Sequence, residues 1–281
     1  WSVSMHLLSP WSEGLFKRAV MMSGSLVGMP QITTPKPISE ITPLATTLGC
    51  PNSTSEEIVN CLMELPVQTI LEAVPATMTV YFPVVDNDCF LDKPINLMNE
   101  GKFHTDVDLL AGTTYVEGFM FSTLFFPHVD FSNLNVSIFR EYVVNSVALF
   151  LPGKDIEGLI DEAVEVYINN DESQENLMYA ISKFVGDSLL AHSTYLTALK
   201  ATKHGKGKVY MYEFNGRPFY SSRPEFIRAD HTDDLAATFG LSQIGNAFGL
   251  DVPAVRLEEA RQRGEVFMKN LSWFAINGWP L

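Results

Sequence analysis

His231 stands in the segment Arg228-Ala229-Asp230-His231-Thr232-Asp233-Asp234-Leu235, a polar stretch that leads into an apolar helical turn ending at Phe239-Gly240. The run Lys208–Phe214 ahead of it reads as a buried strand, so this histidine falls on a loop beyond a strand's carboxyl end, where layered α/β enzymes carry reactive groups. Glu117 has a similar address, five residues past Gly112, with Gly118, Phe119, Met120 and Phe121 behind it. Its carboxylate is therefore expected at the edge of an apolar surface. A histidine can take and return a proton near neutral pH, and a carboxylate can orient it and stabilise its charged form. Taken singly, the two read as a surface or helix-capping histidine and a first-turn helix glutamate favoured by the helix dipole. It is the pairing, an acid after one strand and a histidine after a later one, that argues for chemistry.

The other histidines, His6, His104, His128, His192 and His204, fall in no HxxxH or His/Cys cluster with zinc-ligand spacing, so no metal is expected. Gly205-Lys206-Gly207-Lys208 lacks the spacing of a phosphate-binding loop and leads into a strand rather than a helix. It reads as a solvated turn, and no cofactor is expected.

These candidates need a scaffold, and the apolar pattern supplies one by alternating short β-like runs with long helical ones, as in a layered α/β domain. Arg18–Met22, Val107–Ala111 and Lys208–Phe214 read as strands, followed by turn signals at Ser23-Gly24-Ser25, Gly112-Thr113-Thr114 and Asn215-Gly216. Ser55 with Glu56 and Glu57 starts a helix over Ile58–Leu65. A final helix shows Leu257, Ala260, Phe267, Leu271 and Phe274 at helical spacing, with Gly278 where a C-terminal cap belongs. Stretches 138–150, 156–168 and 174–201 form a helical insert between the second and third strands. Three strands are fewer than the about five or six usual for a sheet covered on both faces, so part of the sheet is expected from sequence upstream, downstream or both.

The chain has 281 residues, 46% apolar and 19% charged, which excludes a disordered chain. Its 19 Lys+Arg against 33 Asp+Glu give a net charge of −14, a field that repels nucleic acid and anionic membrane surfaces. No apolar run approaches the roughly 18 to 20 residues of a membrane span. The first residue is Trp1, with no basic or apolar leader pattern after it, so the chain is expected to start inside a longer protein.

Of three cysteines, Cys50 and Cys61 enclose ten residues with a turn-rich start, and Cys89 stands apart. Spacing alone leaves open a disulfide or two unrelated buried thiols. Asn52, Asn135 and Asn270 each begin an Asn-X-Ser/Thr triplet. Asn52, beside Pro51, and Asn135 are the glycosylation candidates; Asn270 is the weakest, since it lies beside the Phe267 and Phe274 stripe. A secreted or lumenal setting would make a bridge and sugars agree.

Several segments, in order, resemble the type-B carboxylesterase and cholinesterase family. Ser2–Pro10 and Leu15–Ser25 resemble the segment after that family's nucleophile elbow, and Leu48-Gly49-Cys50 to Asn60-Cys61-Leu62 its small disulfide loop. Phe82-Pro83-Val84-Val85-Asp86 resembles its strand-turn motif, and Ala111–Gly118 its acidic triad segment. Tyr210–Phe214, Ala229–Leu235 and Phe239-Gly240 resemble the segment carrying its histidine, in wording closer to animal carboxylesterases than to acetylcholinesterase. The acid-then-histidine order also matches the Ser, Asp/Glu, His order of the α/β-hydrolase triad.

The resemblance implies a partial α/β-hydrolase fold: a central, mostly parallel sheet with covering helices, of which residues 1–281 are the C-terminal portion and the final segment is absent. It makes His231 the general base, Glu117 the acid that orients it, and Ser23 a supporting serine behind them, against a plain strand-ending turn serine. It pairs Cys50 with Cys61 and leaves Cys89 a free thiol. The nucleophilic serine would lie four residues before Trp1 and the oxyanion loop earlier still, so the piece alone is expected to be inactive. The substrate would be a small-molecule ester, with Phe119, Phe121, Leu124, Phe125 and Phe126 helping to line its pocket, and the setting secreted or the endoplasmic reticulum lumen. The family also holds adhesion proteins resembling the neuroligins, which keep the fold without the nucleophile, and this is the rival reading. Two departures stand out: Thr232 follows the histidine where the family commonly has Gly, and Asn87 replaces the Gly of an Asp-Gly turn. Asn tolerates left-handed backbone, so the second is expected to be mild.

Overall fold

A computed structural model describes residues 1–28, 38–77, 83–150, 156–218, 221, 223–240 and 254–281. Strands β1 (Arg18–Met22), β2 (Asp108–Thr114) and β3 (Val209–Phe214) form one parallel sheet in that order, with β2 in the middle. Arg18 lies opposite Asp108 and Met22 opposite Gly112; Leu109 lies opposite Val209 and Thr114 opposite Phe214.

The middle strand runs further than its apolar residues suggest. Gly112-Thr113-Thr114, expected as a turn, continues the ladder, because Tyr212, Glu213 and Phe214 of β3 face all three. Gly112 is what lets the ladder close here: a Cβ on it would stand 2.0 Å from Cε1 of the Tyr212 ring. The flanking ends are shorter than expected by one residue each, at Asp108 and Val209.

Before β2 come helices α1 (Ser2–Leu8), α2 (Thr42–Thr47), α3 (Ser55–Glu64), α4 (Val67–Thr77) and α5 (Pro94–Asn99). Between β2 and β3 lie α6 (Phe119–Phe125), α7 (Val136–Phe150), α8 (Ile156–Ala163), α9 (Gln174–Gly186) and α10 (His192–His204). After β3 come α11 (Asp233–Thr238) and α12 (Ala254–Asn277). The expected insert is thus present, and α9 passes through a π-helical turn, Asp187–Ala191, directly into α10.

Parallel sheets are usually covered on both faces, and here helices pack on both, while β3 leaves Met211 and Glu213 exposed. Leu7, Leu97, Met98, Ala198 and Ala201 of α1, α5 and α10 pack on Ala19, Met21, Leu109 and Ala111. On the other face Phe274 meets Tyr210 with ring centres 6.2 Å apart, and Phe267 meets Tyr212 and Phe214 at 5.3 and 5.1 Å. That is the expected apolar stripe of α12, closed by Gly278 at φ 80°; the side chain of Leu257 lies outside the described residues. A second core, built around Phe139, Tyr142, Leu177, Ala180 and Ile181, holds the insert together.

A third, small core surrounds a disulfide between Cys50 and Cys61, whose Cα atoms are 5.8 Å apart, while Cys89 is a free thiol. Helix α3 starts at Ser55 as expected, and its cap is Thr54. Its hydroxyl accepts Glu57 N at 3.2 Å and Glu57 Oε2 accepts Thr54 N at 3.1 Å, the reciprocal pair of a capping box. Phe82 lies outside the described residues, and 83–86 carry no strand: Pro83 has no N–H to donate and no described strand pairs with them. The turn beyond is present, with Asp86 Oδ1 accepting Asp88 N and Phe90 N at 3.0 and 2.9 Å and Asn87 left-handed at φ 61°.

Candidate active site

Because the strands are parallel, their carboxyl ends open at one edge of the sheet. Ser23 directly follows β1, Glu117 lies three residues past β2, and His231 lies in the connection from β3 to α11. All three meet. Glu117 Oε2 is 2.7 Å from His231 Nδ1, and Glu117 Oε1 accepts Thr114 N at 2.6 Å together with the Ser23 hydroxyl. The glutamate is fully buried, whereas 23% of the His231 side chain is exposed. A carboxylate accepts and does not donate, so Nδ1 carries the hydrogen, and in the neutral imidazole this leaves the lone pair on Nε2.

The backbone here is unusual in a way apolar patterning does not signal. Ser23 (φ 53°), Glu117 (φ 64°) and Thr232 (φ 76°) are all left-handed without being glycine, at a cost of about 1–3 kcal/mol each that surrounding structure must offset. Gly118 provides part of that support through close approach: a Cβ on it would stand 2.1 Å from Ser182 O and 2.3 Å from Gly186 N. The segment is thereby pressed onto α9. Lys183 Nζ donates to Tyr115 O at 3.2 Å from the same helix.

Four further charged groups lie near the histidine in the chain or pair with residues that do. Asp230 accepts Phe119 N and Met120 N at 3.0 and 2.8 Å, and Asp233 accepts Asp230 N at 2.7 Å. Arg223 pairs with both, its Nη1 3.4 Å from Asp230 Oδ2 and its Nη2 donating to Asp233 Oδ2. Burial outweighs these contacts, raising the Asp230 carboxyl and pushing Asp233 up to about 6. Asp234, also buried, accepts the Tyr212 hydroxyl at 3.3 Å and is raised by burial and then by the Glu117 charge. None of these roles was singled out from the sequence, although three aspartates within four positions of a histidine were the visible signal.

Of the expected pocket residues, Phe121 lies against the His231 ring, centres 5.0 Å apart, with Phe125 stacked on it at 5.6 Å. Phe119 and Phe126 turn elsewhere, onto Phe131 and onto Tyr142 of the insert core, and Leu124 is exposed. A cavity of about 710 Å³ between β3 and α12 is lined by neither Glu117 nor His231. Asn52 and Asn135 are exposed, the latter with Oδ1 accepting Ile138 N at 3.1 Å. Asn270 is engaged, donating to Val266 O within α12 and accepting Leu281 N from beyond the helix end.

The chain matches a family model described as "Carboxylesterase family" over residues 1–281. It is 30% identical over 254 residues to bile salt-activated lipase of Mus musculus, covering 85% of this chain and 41% of the lipase. It is 28% identical over 244 residues to carboxylesterase 5A of Felis catus, covering 85% and 43%. A medium-chain fatty acyl-CoA hydrolase precursor of Anas platyrhynchos is 28% identical over 289 residues, covering 99% and 48%. The chain therefore spans less than half the length of each of these relatives. A family model that accounts for every residue, on a parallel sheet covered on both faces, shows that this chain belongs to the carboxylesterase family, whose fold is the α/β-hydrolase.

Proposed function

We propose that the chain supplies the histidine and the acid of a Ser-His-Glu triad in a carboxylic ester hydrolase. The nucleophilic serine would come from sequence preceding Trp1, and residues 1–281 would form the C-terminal portion of a single α/β-hydrolase domain. The observation that carries this reading is the 2.7 Å contact between His231 Nδ1 and the buried Glu117 carboxylate.

In this mechanism His231 Nε2 takes the serine proton as the hydroxyl attacks the ester carbonyl, then gives it to the departing alcohol. Water repeats the sequence on the acyl-enzyme with the same base. Glu117 holds the imidazole in the tautomer that leaves Nε2 free and stabilises the imidazolium, while Ser23 and Thr114 N hold Glu117. The names of the relatives, a lipase, a carboxylesterase and a fatty acyl-CoA hydrolase, favour a small-molecule ester with an apolar acyl or alcohol part. Phe121 beside His231, with Phe125 stacked on Phe121, suits such a group. A secreted or lumenal setting, with sugars at Asn52 and Asn135, is supported by the Cys50–Cys61 disulfide, which oxidising compartments maintain.

The test is turnover of small aromatic esters by the full-length protein and by its His231→Ala and Glu117→Gln variants. Loss of activity in the first and a fall of roughly 10⁴-fold in the second are expected. Undiminished turnover by His231→Ala would sink the assignment. A full-length protein that neither hydrolyses esters nor is labelled by an organophosphate would instead favour the neuroligin-like binding role.

A further inference from the structure

The Glu117–His231 contact joins two loops, and hydrogen bonds between those loops, donated by backbone N–H groups, flank the pair on both sides. Val116, just before the glutamate, donates its N–H to Ala229 O at 3.1 Å. Phe119 and Met120, just after it, donate theirs to the two oxygens of Asp230. Asp230 is the residue immediately before His231, and its side chain is fully buried. The acid and the histidine are thus bracketed by three hydrogen bonds, two of which end on one carboxylate.

That carboxylate is itself held. Arg223 reaches it from the loop after β3 and reaches Asp233 at the same time, and Asp233 closes the turn by accepting Asp230 N. Two buried carboxylates side by side repel each other and lose hydration, so a cation between them favours their charged forms. Arg223 is that cation, with only 18% of its side chain exposed. Its fork geometry lets one guanidinium serve two acids, which a lysine ammonium does less well.

We propose that Asp230, clamped by Arg223 and Asp233, is a positioning residue for the Glu117–His231 pair: it fixes the separation of their two loops so that Nδ1 and the carboxylate meet. For its effect on turnover the inference rests on the esterase reading above; its geometric content does not. Asp230 touches neither reacting atoms nor the imidazole, and it acts through the backbone of its neighbour. An asparagine at 230 would keep one acceptor, replace the other by an NH₂ group facing an N–H, and leave Arg223 with Asp233 as its remaining carboxylate partner of the two. A lysine at 223 would keep the charge but lose the fork.

The experiment uses the full-length protein with Asp230→Asn and Arg223→Lys, each checked for native circular dichroism, and Arg140→Ala as a control at an exposed ion pair. One readout is the far-downfield proton resonance of the hydrogen on His231 Nδ1, assigned by its absence in His231→Ala. The other is the division of the effect between kcat and KM on a small aromatic ester. The expected result is loss or broadening of the resonance in Asp230→Asn and a fall in kcat of roughly 10²-fold with KM little changed, the scale of an ångström-sized misplacement. Arg223→Lys should move both readouts in the same direction and less far, and Arg140→Ala neither. If Asp230→Asn does not fold, Arg223→Lys carries the test alone. Retention of the resonance and of kcat in folded variants would overturn the proposal. If the parent hydrolyses no ester but the resonance responds as described, the clamp stands and the esterase reading fails.

Discussion

A methyl group on Gly186 would stand 2.8 Å from Glu117 Cβ and 2.1 Å from Val116 O, so the end of α9 leaves no room for a side chain against the loop that carries the acid. Gly186→Ala is therefore expected to push Glu117 away from His231 although the two positions are far apart in sequence. A fall in kcat of roughly 10²-fold is expected, with a destabilisation of about 1–3 kcal/mol from overpacking. Ester turnover and denaturant unfolding of the full-length variant measure both. Unchanged values for both would mean that α9 does not support the acid.

Thr232 is exposed, β-branched and left-handed at φ 76° and ψ −8°. The backbone strain thus lies beside the histidine, in a residue whose side chain is exposed. Thr232→Gly is expected to raise stability by about 1 kcal/mol, the strain released less the entropy glycine adds to the unfolded chain. A higher thermal midpoint checks it, and a lower one would show that the threonine is held by something other than strain.

The disulfide closes a ten-residue loop between Cys50 and Cys61, beside a core of only a few buried side chains. Replacing both cysteines with serine is expected to cost roughly 2–3 kcal/mol on the loop-entropy model. Denaturant midpoints of the parent and the double variant, both under non-reducing conditions, test this. Equal midpoints would show that α2 and α3 hold together without the bridge.

Asp233 is pushed up to about 6 by burial, above the roughly 3.9 of an exposed aspartate. The folded chain therefore binds a proton at this site more readily than the unfolded chain. Through this group, stability rises as pH falls from 7 through 6 and declines as pH rises again. Between pH 7 and pH 5 the parent is expected to gain on the order of 1 kcal/mol relative to Asp233→Asn, whose side chain does not titrate. Unfolding free energies of both proteins at the two pH values decide the matter; a parallel pH response in parent and variant would place the Asp233 titration elsewhere.

Much of this protein was legible from its sequence because the signals are local. The three strands, the helical insert and the α12 stripe follow from apolar period, and Gly278 from its position after the last periodic residue. Glu117 and His231 were reachable because strand order puts the ends of parallel strands at one edge, and the resemblance to a family supplied the disulfide and Ser23. What apolar pattern misjudged was the end of β2, where Gly112-Thr113-Thr114 has turn composition yet stays in the sheet because β3 pairs with it and Tyr212 needs the space over the glycine. Only the tertiary structure decided how the acid and the histidine are held. Arg223, Asp230, Asp233 and Gly186 act through hydrogen bonds, charge pairing and close backbone approach between segments distant in the chain. Such contacts depend on where the segments lie in space, and no spacing along the sequence records them.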